Sequence, residues 1–248
     1  MIIIKSASEL DAMRRVNQMT GRLRNALAEL VCPGMTTLEL GDFAKKFICE
    51  IGGVSAFYGY CGYPGQICVS VNDEVVHGIP GRRIIHEGDI VGIDTGISFE
   101  GFIGDTAVTV GVGQITDENQ RLLDVTKASL DAGISMAVAG NRLGDISHAI
   151  QTVVENAGLS IVRDFVGHGI GRSMHEDPQI PNFGKPGRGP VLKVGMTLSI
   201  EPMVNIGKAK VNVLDDNWTA VTKDGSNSAH FEHTISVGKT APEILTLV

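Results

Sequence analysis

The chain repeats one pattern of residues in its two halves. Residues 34–52 align without a gap to residues 140–158, so the offset is 140 − 34 = 106. In both segments apolar residues recur at three- and four-residue spacing and a glycine ends the segment, which predicts a helix with one buried face. The matched apolar positions are Leu40, Phe43, Ala44, Phe47, Ile48 and Ile51 in the first segment, and Ile146, Ala149, Ile150, Val153, Val154 and Ala157 in the second. A duplicated unit predicts a fold with two similar halves.

Each half has the pattern of two helices followed by antiparallel strands. A Ser6-x-x-Glu9 capping box predicts a first helix that runs to about residue 31, and its counterpart covers about residues 116–138. Residues 176–190, rich in proline and glycine, are expected to form an irregular loop. Strands are predicted at about 66–71, 89–99 and 102–111, and then at about 161–166, 195–205, 208–214, 218–222 and 230–237.

These elements predict a single α+β domain over residues 1–248, with pseudo-repeat halves at about 6–111 and 112–248. We expect a curved antiparallel sheet that carries two helix pairs on its outer face. The inner face is then free to carry a site.

Four carboxylates interrupt apolar, strand-like runs: Asp94, Asp105, Glu201 and Glu232. A carboxylate among Ile, Val and Phe side chains is costly unless it is neutralised or meets a cation. Together with His168, which lies in a glycine-rich stretch, they offer four oxygen ligand groups and one imidazole. That set suits a pair of first-row divalent ions better than a structural zinc, which prefers Cys and His. The sequence predicts a two-metal hydrolytic site.

The spacing of the first two carboxylates supports this prediction. If Glu100-Gly101 forms a two-residue turn, Asp105 lies opposite Gly96, on the same strand face as Asp94. The two carboxylates are then diagonal neighbours about 7–8 Å apart at the backbone. This separation lets them converge on metals about 3.5–4 Å apart. A three-residue turn would place them on opposite faces.

Two further histidines have a setting similar to that of His168. His175 follows it by seven residues in His175-Glu-Asp-Pro, and His77 precedes Gly-Ile-Pro. A lone histidine is more often a structural residue than a ligand. The histidines at 86, 148, 230 and 233 have no comparable context, and His148 is expected to be structural.

Composition is that of a globular enzyme. The 248 residues are 43% hydrophobic and 20% charged, which argues against disorder. The formal net charge of −7 argues against bulk attraction to nucleic acid or to an anionic membrane. The first residues contain only four consecutive apolar side chains, too few for a signal peptide or a membrane span. The four cysteines lack C-x-x-C spacing, as expected for reduced thiols in the cytosol.

An ordered set of motifs extends over nearly the whole chain. In this set the chain resembles the methionine aminopeptidases, specifically the short bacterial type I form, which belong to the metallopeptidase family with the pita-bread fold. The resemblance implies a dinuclear metallo-exopeptidase that removes the N-terminal methionine from nascent proteins and peptides when the second residue is small. The motifs are Asn72-Asp-Glu-Val-Val-His77-Gly-Ile-Pro, Asp94, Asp105, Gly167-His168-Gly-Ile-Gly, His175-Glu-Asp-Pro, Ser199-Ile-Glu201-Pro and Phe231-Glu232-His-Thr.

The resemblance also implies the metal ligands. Asp94 would bind one metal in bidentate fashion, and Asp105 and Glu232 would bridge both. His168 and Glu201 would complete the shell of the second metal. The cofactors would be two divalent ions (Co, Mn, Fe or Zn) that activate a bridging water for attack on the scissile amide.

Catalytic and substrate-binding roles follow from the same resemblance. Glu201 would accept a proton from the attacking water, and His77 and His175 would hydrogen-bond the scissile amide and the tetrahedral intermediate. Asn72 and Ser228 match positions that bind a monovalent cation (Na or K) in some members. The methionine pocket would be lined by Phe57, Tyr60, Tyr63, Cys68, Met174 and Trp218.

The pocket departs from the family pattern at two positions. Members often carry an aromatic residue in place of Met174 and a small cysteine in place of Phe57. An exchange of this kind can preserve the pocket's volume, since methionine fills irregular gaps. For Tyr60 and Tyr63, a plain core role is the competing interpretation.

The implied setting is a cytoplasmic monomer that acts on nascent polypeptide N-termini near the ribosome, with no specific nucleic acid and no membrane partner. One alternative is a hydrolase of the same fold that cleaves Xaa-Pro bonds, although those enzymes usually carry a large extra N-terminal domain. A second alternative is a non-catalytic binding protein on this scaffold; such relatives typically lose ligand residues, and all five are present here.

Overall fold

The computed structural model describes residues 1–248. Four helices form two pairs: α1 (Ala7–Leu30) with α2 (Thr37–Glu50), and α3 (Asp117–Ser135) with α4 (Leu143–Asn156). The bounds of α2 shifted by 106 residues, 37 + 106 = 143 and 50 + 106 = 156, are the bounds of α4. The buried positions of α2 shift in the same way onto those of α4, so the repeat in the sequence is a repeat of packing.

No helix combines the length and the apolar character needed to cross a membrane.

Fifteen strands and one short 3-10 helix complete the fold. The 3-10 helix is Tyr60–Gly62. The strands are β1 Val54–Ser55, β2 Cys68–Val71, β3 Glu74–Val76, β4 Ile90–Phe99, β5 Phe102–Gly111, β6 Ser160–Ile161, β7 Gly167–Gly169, β8 Glu176–Ile180, β9 Thr197–Ile200, β10 Met203–Asn205, β11 Val211–Val213, β12 Ala220–Thr222, β13 Ser228–His230, β14 Glu232–Ser236 and β15 Glu243–Ile244.

The central sheet has the strand order β1-β4-β5-β14-β9-β7-β8, with β2 beside β4 and β15 beside β14. All of its pairs are antiparallel. The first half contributes β4 and β5, the second contributes β14 and β9, and the two halves meet where β5 pairs with β14. Two smaller sheets, β13-β10-β6 and β11-β12-β3, flank it. The expected α+β fold with an internal repeat is confirmed.

Each half has its own apolar core. One cluster joins α1 and α2 to β2 and β4 through residues such as Leu23, Leu40 and Ile93. The other joins α3 and α4 to β9 and β14 through residues such as Ile150 and Leu198. These helix pairs therefore bury one face of the sheet and leave the other face for the site.

The first hairpin has the predicted turn. Glu100 and Gly101 both have positive φ, at 49° and 78°, as a two-residue type I′ turn requires. Gly96 is consequently the partner of Asp105 across the β4–β5 pair. Asp94 and Asp105 lie on one face of the sheet, as expected.

Two strands predicted to be continuous are each divided in two. The predicted strand 195–205 breaks at Glu201-Pro202 into β9, which pairs with β14, and β10, which pairs with β13 and β6. Proline lacks the N–H that a continuing ladder needs, so the chain changes sheet there. The predicted strand 230–237 is likewise divided at Phe231 into β13 and β14.

The prediction of an irregular loop over 176–190 is wrong for its first five residues. Glu176–Ile180 forms β8, which pairs with β7 at the edge of the central sheet. Pro178 is tolerated because an edge strand has donors that no neighbour needs. The predicted strand at 161–166 is also wrong in extent, because the structure has only the short strands β6 and β7 there.

Candidate metal centre and active site

A cavity of about 330 Å³ opens on the face of the central sheet opposite the helices. Its lining includes every predicted metal ligand, both predicted catalytic histidines and every predicted methionine-pocket residue: Asp94, Asp105, His168, Glu201, Glu232, His77, His175, Phe57, Tyr60, Tyr63, Cys68, Met174 and Trp218. Residues from both halves of the chain thus converge on one site.

Four of the five predicted ligands lie on neighbouring strands of the central sheet, and the fifth directly follows another of its strands. In spatial order β4 carries Asp94, β5 carries Asp105, β14 carries Glu232, β9 ends just before Glu201, and β7 carries His168. Asp94 is the partner of Ala107, which is the partner of Glu232, so one row of the sheet crosses both halves. Regular strand pairing is therefore what brings the ligands together.

The side chains of the ligands approach one another closely. Asp105, His168 and Glu232 each offer a ligand atom, and these atoms lie within 4.8 Å of one another. His168 Nε2 lies 3.5 Å from Glu201 Oε1 and 3.7 Å from Asp105 Oδ2. This spacing allows one cation to contact several of these groups.

The buried carboxylates lie so close together that a bound cation would stabilise their ionised forms. Asp94, Asp105 and Glu201 have pKa values well above the ordinary range because they are buried and because the Glu232 charge is close. Burial raises the pKa of Glu232 to about 7, although a hydrogen bond from Ser199 and the charge of Arg24 lower it. One oxygen each of Asp94 and Asp105 is buried and accepts no hydrogen bond from the protein. Divalent ions would neutralise the carboxylate charges, and these oxygens would be available to coordinate them.

His168 is oriented as a ligand. Its Nδ1 lies 3.0 Å from the carbonyl oxygen of Gly169, so the proton is assigned to Nδ1. The Nε2 lone pair then faces the carboxylates. Burial, followed by the neighbouring His175, lowers the pKa of His168 to about 4, so the ring is neutral at physiological pH. A neutral imidazole whose other nitrogen donates to a carbonyl is the usual arrangement of a metal-binding histidine.

His175 is held by a tyrosine hydroxyl. Tyr60 Oη lies 2.7 Å from His175 Nδ1, and the His175 ring packs edge-on against that of His168, with centroids 4.4 Å apart. Burial lowers the pKa of His175, which favours the neutral ring. We assign the Tyr60 hydroxyl as the donor to Nδ1, which leaves the ring proton on Nε2, where it can be donated. Tyr60 is 39% exposed, so the competing interpretation of a core residue is wrong for it.

His77 also lines the cavity and directly follows β3. Its backbone has a φ of 62°, which non-glycine residues adopt rarely and which often marks a functional position. The ring makes edge-on contacts with Phe165 and Trp218. Burial, followed by His175, lowers its pKa to about 4, so His77 is neutral at physiological pH.

Apolar and aromatic side chains form one end of the cavity. The ring of Phe57 packs directly over Gly96, where a Cβ atom would lie 2.5 Å from Phe57 Cε1. Tyr63 and Trp218 meet edge-on with centroids 5.0 Å apart. Met174 is buried in the same apolar cluster against which Phe57 packs. Burial raises the pKa of the Cys68 thiol well above its usual value, so it lines this end as a neutral group.

One histidine of the site was missed in the sequence. The structure places His230 in the cavity, with Nε2 buried, without a hydrogen-bond partner, and 3.9 Å from Glu201 Oε2. It precedes Glu232 by two residues, so strand alternation was the signal that could have assigned both to one face. The other lining residues absent from the prediction are Cys61, Val76, Phe165, Val166 and Met203.

Asn72 and Ser228 lie outside this cavity, next to each other. The Ser228 N–H donates to the Asn72 carbonyl at 2.9 Å. The Asn72 side chain bonds Asp89 and the Ile90 N–H, and the Ser228 hydroxyl donates to the Val204 carbonyl. The hydrogen bonds of these two side chains therefore connect neighbouring segments of the chain at this point.

Comparisons with known proteins agree with this geometry. The model of metallopeptidase family M24 matches residues 11–239. The methionine aminopeptidase of Clostridium perfringens is 51% identical over 248 residues, which cover 100% of both chains. The crystal structure of the methionine aminopeptidase from Thermotoga maritima superposes with a TM-score of 0.98 at 46% identity and covers 100% of both chains.

A more distant match shows the fold alone. The prolidase from Pyrococcus horikoshii OT3 has a TM-score of 0.79 at 19% identity, with 99% of this chain covering 64% of the prolidase. The close matches extend over the entire chain at about half identity, whereas the prolidase is longer and far less similar. This chain belongs to metallopeptidase family M24 and, within it, to the methionine aminopeptidases.

Proposed function

We propose that this protein removes the N-terminal methionine from peptides and nascent chains whose second residue is small. The observation that carries the proposal is the junction, in one cavity, of a buried carboxylate cluster with an apolar, aromatic and sulfur-lined end. The cluster can hold the free amine and the scissile bond through cations. The apolar end fits an unbranched thioether.

Asp94, Asp105, His168, Glu201 and Glu232 would hold two divalent ions. Four carboxylates balance the charge of two such ions, and the neutral imidazole adds a nitrogen ligand. When bound, the ions supply a nucleophile at neutral pH by lowering the pKa of water, and they polarise the substrate carbonyl.

The chain's own residues handle the protons and the developing charge. Glu201 accepts the proton of the attacking water and passes it to the leaving amine. His175 donates from Nε2 to the substrate because Tyr60 occupies its Nδ1. His77, fixed between Phe165 and Trp218, provides a second contact to the scissile amide.

The apolar end sets the preference for methionine. Phe57 over Gly96 narrows this end, and Met174 provides an adaptable wall beside it. Tolerance at the second substrate position falls with side-chain size because His77 and His175 stand on either side of the scissile bond. A formylated methionine should resist cleavage, because formylation converts the free amine, which would bind at the metal site, into an amide that is a poor ligand.

The proposal also covers where the enzyme acts and which ions it uses. The enzyme acts in the cytoplasm as a monomer, on nascent chains close to the ribosome. The metal used depends on availability among Co, Mn, Fe and Zn. Asn72 and Ser228 would hold a structural Na or K ion.

A peptide panel tests the proposal. The metal-depleted protein would be supplied without oxygen with each divalent ion in turn, then assayed on Met-Ala, Met-Leu, formyl-Met-Ala and Ala-Pro peptides. We expect metal-dependent cleavage of Met-Ala and little of the others. Equal cleavage of Met-Leu would contradict the second-position preference, and preferred cleavage of Ala-Pro would favour the Xaa-Pro hydrolase alternative.

A further inference from the structure

Helix α1 carries a buried arginine behind the carboxylate cluster. Arg24 is only 7% exposed. Its Nη1 donates to Thr106 Oγ1 at 2.8 Å, and its Nε and Nη2 donate to Asn25 Oδ1. The ion pairs of the protein include Arg14, Arg15, Arg83 and Arg172, but none includes Arg24. A guanidinium buried without a carboxylate beside it is unusual, because burial of an unpaired charge is costly.

The surroundings of Arg24 connect it to the ligands. Thr106 directly follows Asp105, and its hydroxyl donates to the Glu232 carbonyl at 2.7 Å. His233 directly follows Glu232, is the partner of Thr106 across β5 and β14, and has Nδ1 3.3 Å from Arg24 Nη1. Since strand side chains alternate, Thr106 and His233 face the helices while Asp105 and Glu232 face the cavity. Arg24 therefore lies one sheet thickness behind these two carboxylates.

None of the groups that Arg24 contacts is negatively charged, and the charge that acts on it from behind them is that of Glu232. His233 carries an imidazole, which has no negative charge in either of its ordinary protonation states. Thr106, Asn25 and Thr246, the remaining polar contacts in this network, carry no charge. Burial lowers the pKa of Arg24, and the charge of Glu232 opposes that shift. Burial likewise raises the pKa of Glu232, and Arg24 is one of the groups that oppose it.

We propose that Arg24 is a built-in counter-charge for the ligand carboxylates, which stabilises the protein before the metal ions bind and weakens its affinity for those ions once they compete. The reason is the sign of the charge in the cavity. Carboxylates alone attract the guanidinium, whereas carboxylates neutralised by divalent ions do not, and the added cations are repelled by it. The inference rests on the proposed metal site.

Three substitutions separate charge from packing and hydrogen bonding. Arg24→Met removes the charge and keeps much of the volume, and Arg24→Lys keeps the charge without the planar fork. Arg22→Met is the matched control, because it makes the same change of net charge on an exposed position of the same helix. Each protein would be purified metal-loaded, stripped with a chelator, and titrated anaerobically with Mn²⁺ at pH 8 by calorimetry. The Tm of stripped and loaded forms would be recorded in parallel.

We expect Arg24→Met to bind Mn²⁺ more tightly by about five-fold or more, the lower end of typical coupling between sites. Relative to wild type, the Tm of Arg24→Met should fall more in the metal-stripped form than in the metal-loaded form. Arg24→Lys should keep the wild-type affinity even if its Tm falls, and Arg22→Met should change neither quantity.

Unchanged or weaker Mn²⁺ binding by Arg24→Met would overturn the inference, as would equal losses of Tm in the two forms. If stripped Arg24→Met does not stay folded, Arg24→Gln, which is neutral but retains a donor, is titrated in its place and must show the same tightening. A wild-type protein that binds no Mn²⁺ would instead contradict the proposed function itself.

Discussion

The floor and the rim of the cavity are built in different ways. The floor is formed by Asp94, Asp105, His168, Glu201 and Glu232, which neighbouring strands bring together by regular pairing. The rim is formed by Tyr60, His77 and His175, which lie on irregular backbone: a 3-10 turn, a residue with left-handed φ, and the position just before an edge strand. Ligands are thus fixed by the sheet, and substrate contacts by the connections around it.

The polar atoms of the two regions also differ. On the floor, buried oxygens of Asp94 and Asp105 receive no hydrogen bond from the protein. On the rim, His175 has a defined partner in Tyr60. A region with unpartnered acceptors is suited to bind cations, whereas a region with an assigned tautomer is suited to hold a proton at a known atom. Substitutions in the two regions should therefore differ in what they remove.

The largest effect is expected on the floor. Asp105→Asn should lower both the metal stoichiometry and the activity, because the ligand loses its charge. The loss of activity should exceed the roughly 10–100-fold cost of disturbing a residue outside the ligand shell. The stripped variant should also be more stable than wild type, since one like charge is gone. Metal analysis, kinetics and thermal unfolding measure the three quantities, and exposed Asp131→Asn on α3 is the control. A fully metal-loaded Asp105→Asn protein would contradict the assignment.

On the rim, His175→Ala should leave the metals bound and lower kcat by roughly 10²–10³, the scale for loss of one transition-state donor. KM should change less, because such a contact contributes little to ground-state binding. Steady-state kinetics and metal analysis of one preparation provide the test. A folded His175→Ala protein without its metals would show that His175 is a ligand and belongs to the floor.

The floor should also make stability depend on pH in a metal-dependent way. Glu232 has a pKa raised from 4.5 to about 7, so the folded metal-free protein binds a proton that the unfolded chain has released. Its stability should therefore fall as pH rises from about 4.5 to above 7. In the metal-loaded protein the carboxylates are already ionised and bound, and this fall should be absent. Denaturant unfolding of both forms from pH 5 to 8.5 measures the difference, and parallel curves would contradict it.

The smallest effect is expected at the partner of His175. Tyr60→Phe keeps the ring and removes only the hydroxyl that is hydrogen-bonded to His175 Nδ1. We expect kcat to fall about five-fold, the value of one neutral hydrogen bond of about 1 kcal/mol, with little change in KM or metal content. Tyr58→Phe is the control, since Tyr58 is 63% exposed and does not line the cavity. A rise in KM alone would assign Tyr60 to substrate packing instead.

The floor of the cavity could be predicted from the sequence, whereas the rim could not be predicted from spacing. Strand alternation and a two-residue turn were sufficient to place Asp94 and Asp105 on one face, because both depend on local geometry. The position of Tyr60 against His175 joins residues 115 apart in sequence. Spacing carries no information about such a contact, and only the family resemblance brought the two residues into one site.

Sequence patterns also gave wrong or incomplete predictions where contacts between distant parts of the chain decide the structure. The apolar run through Glu201 has the pattern of one strand, yet Pro202 ends the ladder and the chain continues in another sheet. His230 was missed for a different reason. Alternation along the predicted strand 230–237 puts it on the same face as Glu232, but its surroundings lack the glycine-rich context of His168. In the structure it lies on β13 of the smaller sheet, and its side chain lines the cavity. Arg24 gave no signal, because an arginine on an amphipathic helix is ordinarily a surface residue.

The turn at Glu100-Gly101 has an evolutionary consequence. Surface turns usually tolerate insertions and deletions, so their lengths drift between related proteins. Here the number of residues between Asp94 and Asp105 decides which side of the sheet the second carboxylate faces, and behind that side lie Asn17 and Thr20 of α1, against Gly104. We expect a one-residue insertion to inactivate the enzyme unless it is absorbed as a bulge. The length of this exposed turn, which does not line the cavity, should therefore be as constrained as the catalytic side chains, whereas its residues need only allow positive φ.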